Sequence, residues 1–278
     1  FTMGIRWNEM KKIAVNVVLA IGAIFVVLPF IWMLSLSVKP ENEIYAPTLT
    51  LLPQIWDWAN YEEAYVLGEM RIFIRNGIIV TLCILVIQCL TVIPTAYVLA
   101  RKHFRLQRAM FILVLSALLI PPQVVAIPLF LAFGELNLLD TFAVLIIPFS
   151  TSAFGIFLLR QSFQGIPQDL IDAARMDGAS QWYTLWRILV PQIWPSIAVF
   201  AILSILTHWN DFFWPLISIT DIERTTPPVG VSLFASSESG NDVGPMMASA
   251  AMTVAPLMIG FLLLRRRFIK GFMTNGMK

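Results

Sequence analysis

The chain has 278 residues, 58% of them hydrophobic and only 13% charged, with a formal net charge of +2. A mean hydropathy of +0.77 excludes a water-soluble globular protein. The near-neutral charge balance offers no nucleic-acid surface.

The first uncharged run, Ile13–Val38, is long enough for a helix to cross about 30 Å of hydrocarbon. Lys11 and Lys12 precede it as in a signal peptide, but the run is too long for an h-region and no small-residue cleavage site follows. It reads as a retained span. An outer segment, PENEIYAPTLTLLPQIWDWANYEEAY, mixes acids, prolines and tryptophans. The second run, Asn76–Ala100, carries Cys83 and Cys89, which a helical turn of about 600° sends to different faces. Without a C-x-x-C or a His pair, the two thiols read as apolar filler. After the basic turn RKHFRLQR comes Ala109–Gly134, joined by the short GELNLLD to Thr141–Leu159 in a tight hairpin. A polar insert, DLIDAARMDGASQWYTLWRILVP, precedes the fifth run, Ile188–Asn210. A Ser-, Gly- and Pro-rich loop from about 221 to 242 leads to Val243–Leu264 and the basic tail RRRFIKGFMTNGMK.

These runs predict an all-α polytopic membrane protein with six transmembrane helices in a single domain, 1–278. An irregular or extended segment would leave its backbone groups unsatisfied in lipid. With six spans, only Lys39, Arg71, Arg75 and Arg224 fall on the side opposite the termini, leaving 15 of the 19 basic residues (19 − 4) with them. The positive-inside rule therefore places both termini, and the insert, in the cytoplasm. No internal repeat appears, nor the paired half-helices that mark many secondary carriers.

Recognisable catalysis is missing. There is no G-x-x-x-x-G-K-[ST] and no H-E-x-x-H, and His103 and His208 lie in different regions without an evident partner. The expectation is no catalytic residue, no metal and no cofactor on this chain.

The insert suits a short helix from Gln168 to Asp177, with Pro167 at a start position that tolerates proline. Asp169 and Asp172 favour its N-terminal dipole. Ala173 and Ala174 offer a small surface for close approach, and Gly178 permits a sharp turn before a second helical stretch. One reading is a solvated loop. The other is a helix–Gly-turn–helix that docks into a groove on a cytoplasmic partner.

These residues resemble a known family. DAARMDGASQWYTLWRILVP is similar to the EAA loop of ATP-binding-cassette (ABC) importer permeases, E-A-A-x-x-x-G-x(9)-I-x-L-P. Asp172, Ala173, Ala174, Gly178, Ile188 and Pro191 fall at the required spacings, with Asp172 replacing Glu and Val190 replacing Leu. NLLDTFAVLIIP, WNDFFWPL and FIKGFMTNGMK resemble the carbohydrate-uptake, maltose-permease-like group. The resemblance implies a permease subunit for a sugar or sugar-like solute in a bacterial or archaeal cytoplasmic membrane. It also implies a second permease, an ATPase dimer that binds ATP and Mg, and an extracytoplasmic solute-binding protein. Coupling would run through the loop at about 165–190, including Asp177, by alternating access.

A solute path is expected near HWNDFFWPL, with Trp209 as a stacking face and Asn210 and Asp211 as hydroxyl partners. The competing reading is an interfacial aromatic belt. Gln88 and Gln123 are further polar candidates within the spans, each also suited to a helix–helix hydrogen bond. A self-sufficient secondary carrier would need its own ion site, for which Asp211 is the sole candidate. A membrane-bound enzyme would need a catalytic constellation that the sequence lacks.

Overall fold

The computed structural model describes the backbone of residues 2–235 and 242–275, and side chains from 12 to 235 and 242 to 263. Among the described residues every regular element is helical. The chain divides into two compact units, residues 1–70 with 230–255, and residues 71–229 with 256–278.

In the first unit, α1 (Thr2–Leu36) carries the first apolar run, exposed in this chain from Lys12 to Ile31, with Ser35 and Leu36 buried at its end. The segment after it is tied back to its end. Ser35 Oγ donates to the Leu51 carbonyl, and Asn60 Nδ2 donates to the carbonyls of Lys39 at 2.9 Å and Ser37 at 3.3 Å. Lys39, counted in the sequence as an ordinary outer charge, is only 2% exposed. Its ammonium donates to the Thr50 carbonyl and, at 3.1 Å, to Thr50 Oγ1, and lies 5.3 Å from the Trp32 ring centroid. Glu43 is 3.8 Å away. Burying a lysine costs several kcal/mol unless its protons find such partners.

The second unit opens on α2 (Met70–Arg101), which stays helical through Pro94. Then come three bent pairs. Helix α3 (Gln107–Ala117) meets α4 (Pro122–Glu135) at 96°, α5 (Phe142–Phe149) meets α6 (Ala153–Gln164) at 40°, and α8 (Gln181–Gln192) meets α9 (Trp194–Trp209) at 82°. Helix α7 (Gln168–Met176) lies between α6 and α8, and α10 (Phe213–Ser218) and α11 (Pro227–Leu233) follow α9. Helix α12 (Val243–Asn275) closes the chain, and its stretch Val243–Leu263 is again long and apolar enough to span.

Three long helices and three bent pairs give up to six crossings, matching the six apolar runs. The sequence reading saw no paired half-helices, whereas the structure bends three of the crossings into helix pairs. Pro121–Pro122, Pro148 and Pro191–Pro195 cluster at the breaks. Each ring removes an N–H from the helical ladder. The helix pair of the fifth run begins at Gln181, ahead of Ile188.

Two apolar clusters fill this unit. One joins Val92, Tyr97, Leu159, Phe163, Leu189 and Phe200 from α2, α6, α8 and α9. The other joins Val80, Phe133, Leu145 and Trp214 from α2, α4, α5 and α10. Gly155 permits the α6–α9 approach, since a Cβ there would collide with the Phe200 ring.

The predicted tight hairpin between α4 and α5 turns through left-handed residues, Asn137 at φ 54° and Asp140 at φ 56°. Asp140 accepts from Thr220 Oγ1 at 2.7 Å, the Asp221 N–H at 2.8 Å and the Thr220 N–H. The Thr220 hydroxyl first, then these two amides, hold its carboxyl below the usual value. A lowered folded value means stability present above the ordinary carboxylate range and lost as pH falls through the folded one. Asp140→Ala should cost roughly 1 kcal/mol from the backbone alone, whereas Asp140→Asn tolerates the conformation. The Tm gap between wild type and Asp140→Asn, measured in detergent, should shrink as the buffer is acidified. A gap independent of pH would contradict this account.

Candidate functional site

Helix α7 has only nine residues, too few to hold itself in water. It is held from one side. Ile171 and Ala174 are buried, Ile171 in the cluster that contains Phe163, Leu185 and Leu189. The rest of its surface is open: Asp169, Asp172, Ala173, Arg175 and Asp177 are exposed, and Met176 is 88% exposed. Asp172 accepts from Gln168 Nε2 at 3.1 Å and pairs with Arg175 at 3.5 Å, both on its own helix.

The helix ends where the sequence predicts. Gly178 has φ 77°, with no atom within 4 Å of where a Cβ would stand. Its demand for glycine is therefore conformational rather than steric. The Ala179 N–H returns to the Ala174 carbonyl at 3.0 Å, which closes the turn. Ser180 then caps α8 by accepting the Tyr183 N–H at 3.2 Å. Thr184–Leu189 is wound as a π-helix just ahead of Pro191, whose missing N–H breaks the regular ladder. Ile188 is half-buried and Pro191 exposed. Trp182 and Trp186 stack at 6.4 Å, and Trp182 and Tyr183 remain exposed beside α7.

A second polar constellation lies inside the spans. Gln88 of α2 is 2% exposed. Its amide donates to the Phe149 carbonyl at 2.9 Å and meets His208 Nε2 at 3.2 Å, and it accepts from Ser204 Oγ at 2.6 Å. Thr91, one turn on, donates to the Ser150 carbonyl at 2.8 Å. Phe149 and Ser150 sit at the α5–α6 break. Gln88 and Thr91 therefore take up the backbone groups that the break frees, as hydrocarbon requires. His208 also finds the partner that the sequence did not reveal. The signals in the sequence were Gln88 and Thr91 at i, i+3, and Ser204 and His208 at i, i+4, each pair on one helix face.

The predicted solute-path residues do not form one surface. Trp209 is only 4% exposed and offers no open ring for stacking. Trp214, also buried, donates Nε1–H to the Val144 carbonyl at 2.8 Å and packs on Phe133. Trp214 belongs to the apolar cluster with Phe133 and Leu145, and Trp209 is buried as well. Asn210 is exposed and donates back to the Leu206 carbonyl at 2.7 Å. Asp211 is half-buried and accepts the Trp214 N–H at 3.4 Å. Gln123 is exposed just past the α3–α4 break. Among the described residues, no group of three or more His, Cys, Asp or Glu could hold a metal.

Residues 92–273 match the family described as binding-protein-dependent transport system inner membrane component. The chain belongs to that family. A relative named arabinooligosaccharides transport system permease protein, from Halalkalibacterium halodurans, is 30% identical over 94% of this chain and 95% of its own length. The diacetylchitobiose uptake system permease protein of Streptomyces coelicolor is 30% identical over 94% and 87%. The sn-glycerol-3-phosphate transport system permease protein of Yersinia pestis is 26% identical over 94% and 95%. One chain of a bacterial ABC transporter involved in import of the acidic polysaccharide alginate superposes with a TM-score of 0.85, over 95% of this chain and 98% of that one, at 24% identity. That likeness bears on the fold.

This protein is thus a membrane permease component of a binding-protein-dependent transport system. Within the permease, Gln88 behaves as a helix–helix hydrogen bond. Gln88→Leu should leave the Phe149 carbonyl and His208 without partners, at about 1–3 kcal/mol for each group left unsatisfied. The expected result is a lower Tm of the purified complex in detergent. An unchanged Tm with a raised KM for uptake would instead make Gln88 a solute ligand.

Proposed function

We propose that the permease carries a sugar or sugar-like solute, and that α7 with the Gly178 turn is the element through which a cytoplasmic ATPase drives it. The single observation that carries this reading is a rigidly mounted helix with an open outer face and no chemistry of its own. Ile171 and Ala174 fasten it from behind, and Gly178 fixes its end. Asp172, Ala173, Ala174, Asp177, Gly178, Ile188 and Pro191 are the coupling residues of this proposal. The named cargoes of the relatives, arabinooligosaccharides, diacetylchitobiose and glycerol 3-phosphate, support a polyhydroxylated solute.

The working assembly is this permease with a second permease, a pair of ATPase subunits that bind ATP and Mg, and an extracytoplasmic binding protein. ATP draws the ATPase pair together, α7 moves with its docking groove, and the crossings reopen outward. Screening the partner binding protein against pentose and hexosamine oligosaccharides and glycerol 3-phosphate identifies the solute, whose uptake then serves as readout.

Gly178→Val meets no steric neighbour, so its cost is the left-handed backbone, roughly 1–2 kcal/mol. Gly178→Asn, which tolerates that conformation, should be milder. Asp172→Lys reverses the charge on the open face and forfeits the Gln168 hydrogen bond. Gly178→Val and Asp172→Lys should reach the membrane at normal abundance yet lower uptake by between about threefold and thirtyfold. Wild-type uptake in both would mean that α7 is only a solvated loop.

The charge bias of 15 to four supports both termini and α7 lying in the cytoplasm of a cell whose inner membrane the permease crosses several times. In a Cys83→Ala, Cys89→Ala background, an impermeant thiol reagent applied to intact cells should modify Asn42→Cys and spare His103→Cys. Both positions are exposed. The opposite pattern would invert the topology and remove α7 from the ATPase side.

A further inference from the structure

The ends of α2 and α6 are laced together by two arginines. Arg101, the last residue of α2, donates Nε–H to the Phe163 carbonyl at 2.9 Å and Nη2–H to the Gln164 carbonyl at 3.3 Å and the Ile166 carbonyl. Its Nη1 reaches the side-chain oxygen of Gln168 at 3.4 Å. Gln168 is the first residue of α7 and itself donates to Asp172. In return, Arg160 of α6 donates Nε–H to the Leu99 carbonyl at 3.1 Å, with its guanidinium 3.8 Å from the Phe111 ring centroid.

The Phe163 and Gln164 carbonyls belong to the last turn of α6, where carbonyls run out of helical partners, and Phe163 also accepts the Ile166 N–H at 3.3 Å. A cation there is favoured by the helix dipole. One planar guanidinium spans both carbonyls, the Ile166 carbonyl in the link, and the start of α7. A lysine keeps the charge but lacks the rigid fork to hold these acceptors together.

We propose that Arg101 is a positioning residue for energy coupling, fixing the start of α7 to the end of α2 so that a displacement of α7 is delivered to α2 directly. The alternative route is the covalent one, through the Gly178 turn and α8. Helix α2 is the element that carries Gln88 and Thr91, about 15–20 Å along its axis from Arg101. Movement delivered at Arg101 therefore arrives at the α5–α6 break through groups already bonded to it. The inference rests on the reading of α7 as the docking helix.

The test uses the complete importer with its binding protein in lipid vesicles, in the Cys83→Ala, Cys89→Ala background. A bimane probe at Ile78→Cys, near the far end of α2, reports movement on trapping with ATP–Mg and vanadate. Arg101→Lys should keep most of the vanadate-sensitive ATP hydrolysis per assembled complex while the bimane response falls by roughly threefold or more. A full response per complex in Arg101→Lys would overturn the assignment. So would a proportionate loss of hydrolysis and response, which would mark Arg101 as a plain structural cap. Asp172→Lys, on the open face of α7, separates the two readings. A full response in that variant removes the docking role of α7, and with it the route through Arg101. A reduced response there, beside a full one in Arg101→Lys, removes the Arg101 assignment alone.

Discussion

Every break in a membrane-crossing helix frees backbone groups that lipid cannot hydrogen-bond, and this constraint orders much of the second unit. The break between α5 and α6 is bridged by Gln88 and Thr91, one turn apart on α2, with Ser204 and His208 of α9 completing the set. Three crossings thus share one buried polar junction. Hydrogen bonds between membrane helices average under about 1 kcal/mol each, but leaving such groups unpaired costs more. The prolines make the breaks possible, and the polar side chains on neighbouring helices make them tolerable.

The sequence shows the parts of this architecture that depend on composition. Uncharged runs mark the crossings. The stretch from Pro167 to Gly178 gives a helix with both ends within a residue of Gln168–Met176. Gly178 was singled out for a sharp turn, and its φ of 77° shows the backbone that such a turn requires. What the sequence hides depends on which side chain meets which carbonyl. Gln88 could have faced solute, lipid or helix, since a lone glutamine in an apolar run carries no direction. Arg101 and Arg160 entered only as two of many cytoplasmic charges, because a charge count cannot see a guanidinium folded onto a helix end. Trp209 and Trp214 fell in a stretch read either as a solute path or as an interfacial aromatic belt. Their burial comes from Gly77, Val144 and Phe133, remote in sequence.

Proline position also separates bending from breaking. Pro29, Pro94, Pro128 and Pro256 sit inside α1, α2, α4 and α12, which remain continuous. The breaks fall where prolines come in pairs or beside serines, at 121–122, at 148 with Ser150 and Ser152, and at 191 with 195. A single ring removes one hydrogen bond and is absorbed as a kink. Two rings a few residues apart remove enough of the ladder that Ile193, between Pro191 and Pro195, settles outside helical geometry at φ −104° and ψ 15°.

The outer face of α7 follows from the same division of labour. A nine-residue helix contributes little stability by itself, so its existence depends on Ile171, Ala174, the Pro167 start and the Gly178 stop. These occupy the buried side and the two ends. Asp169, Asp172, Ala173 and Met176 are left with no packing task, and a methionine 88% exposed has no reason in the isolated chain to be apolar. In a lone surface loop that position would carry a charge at no cost. Its unbranched, adaptable side chain suits a groove that must stay filled while the helix shifts. The soluble-looking insert in an apolar chain is thus soluble on the faces that water keeps and apolar at the point that a partner would take.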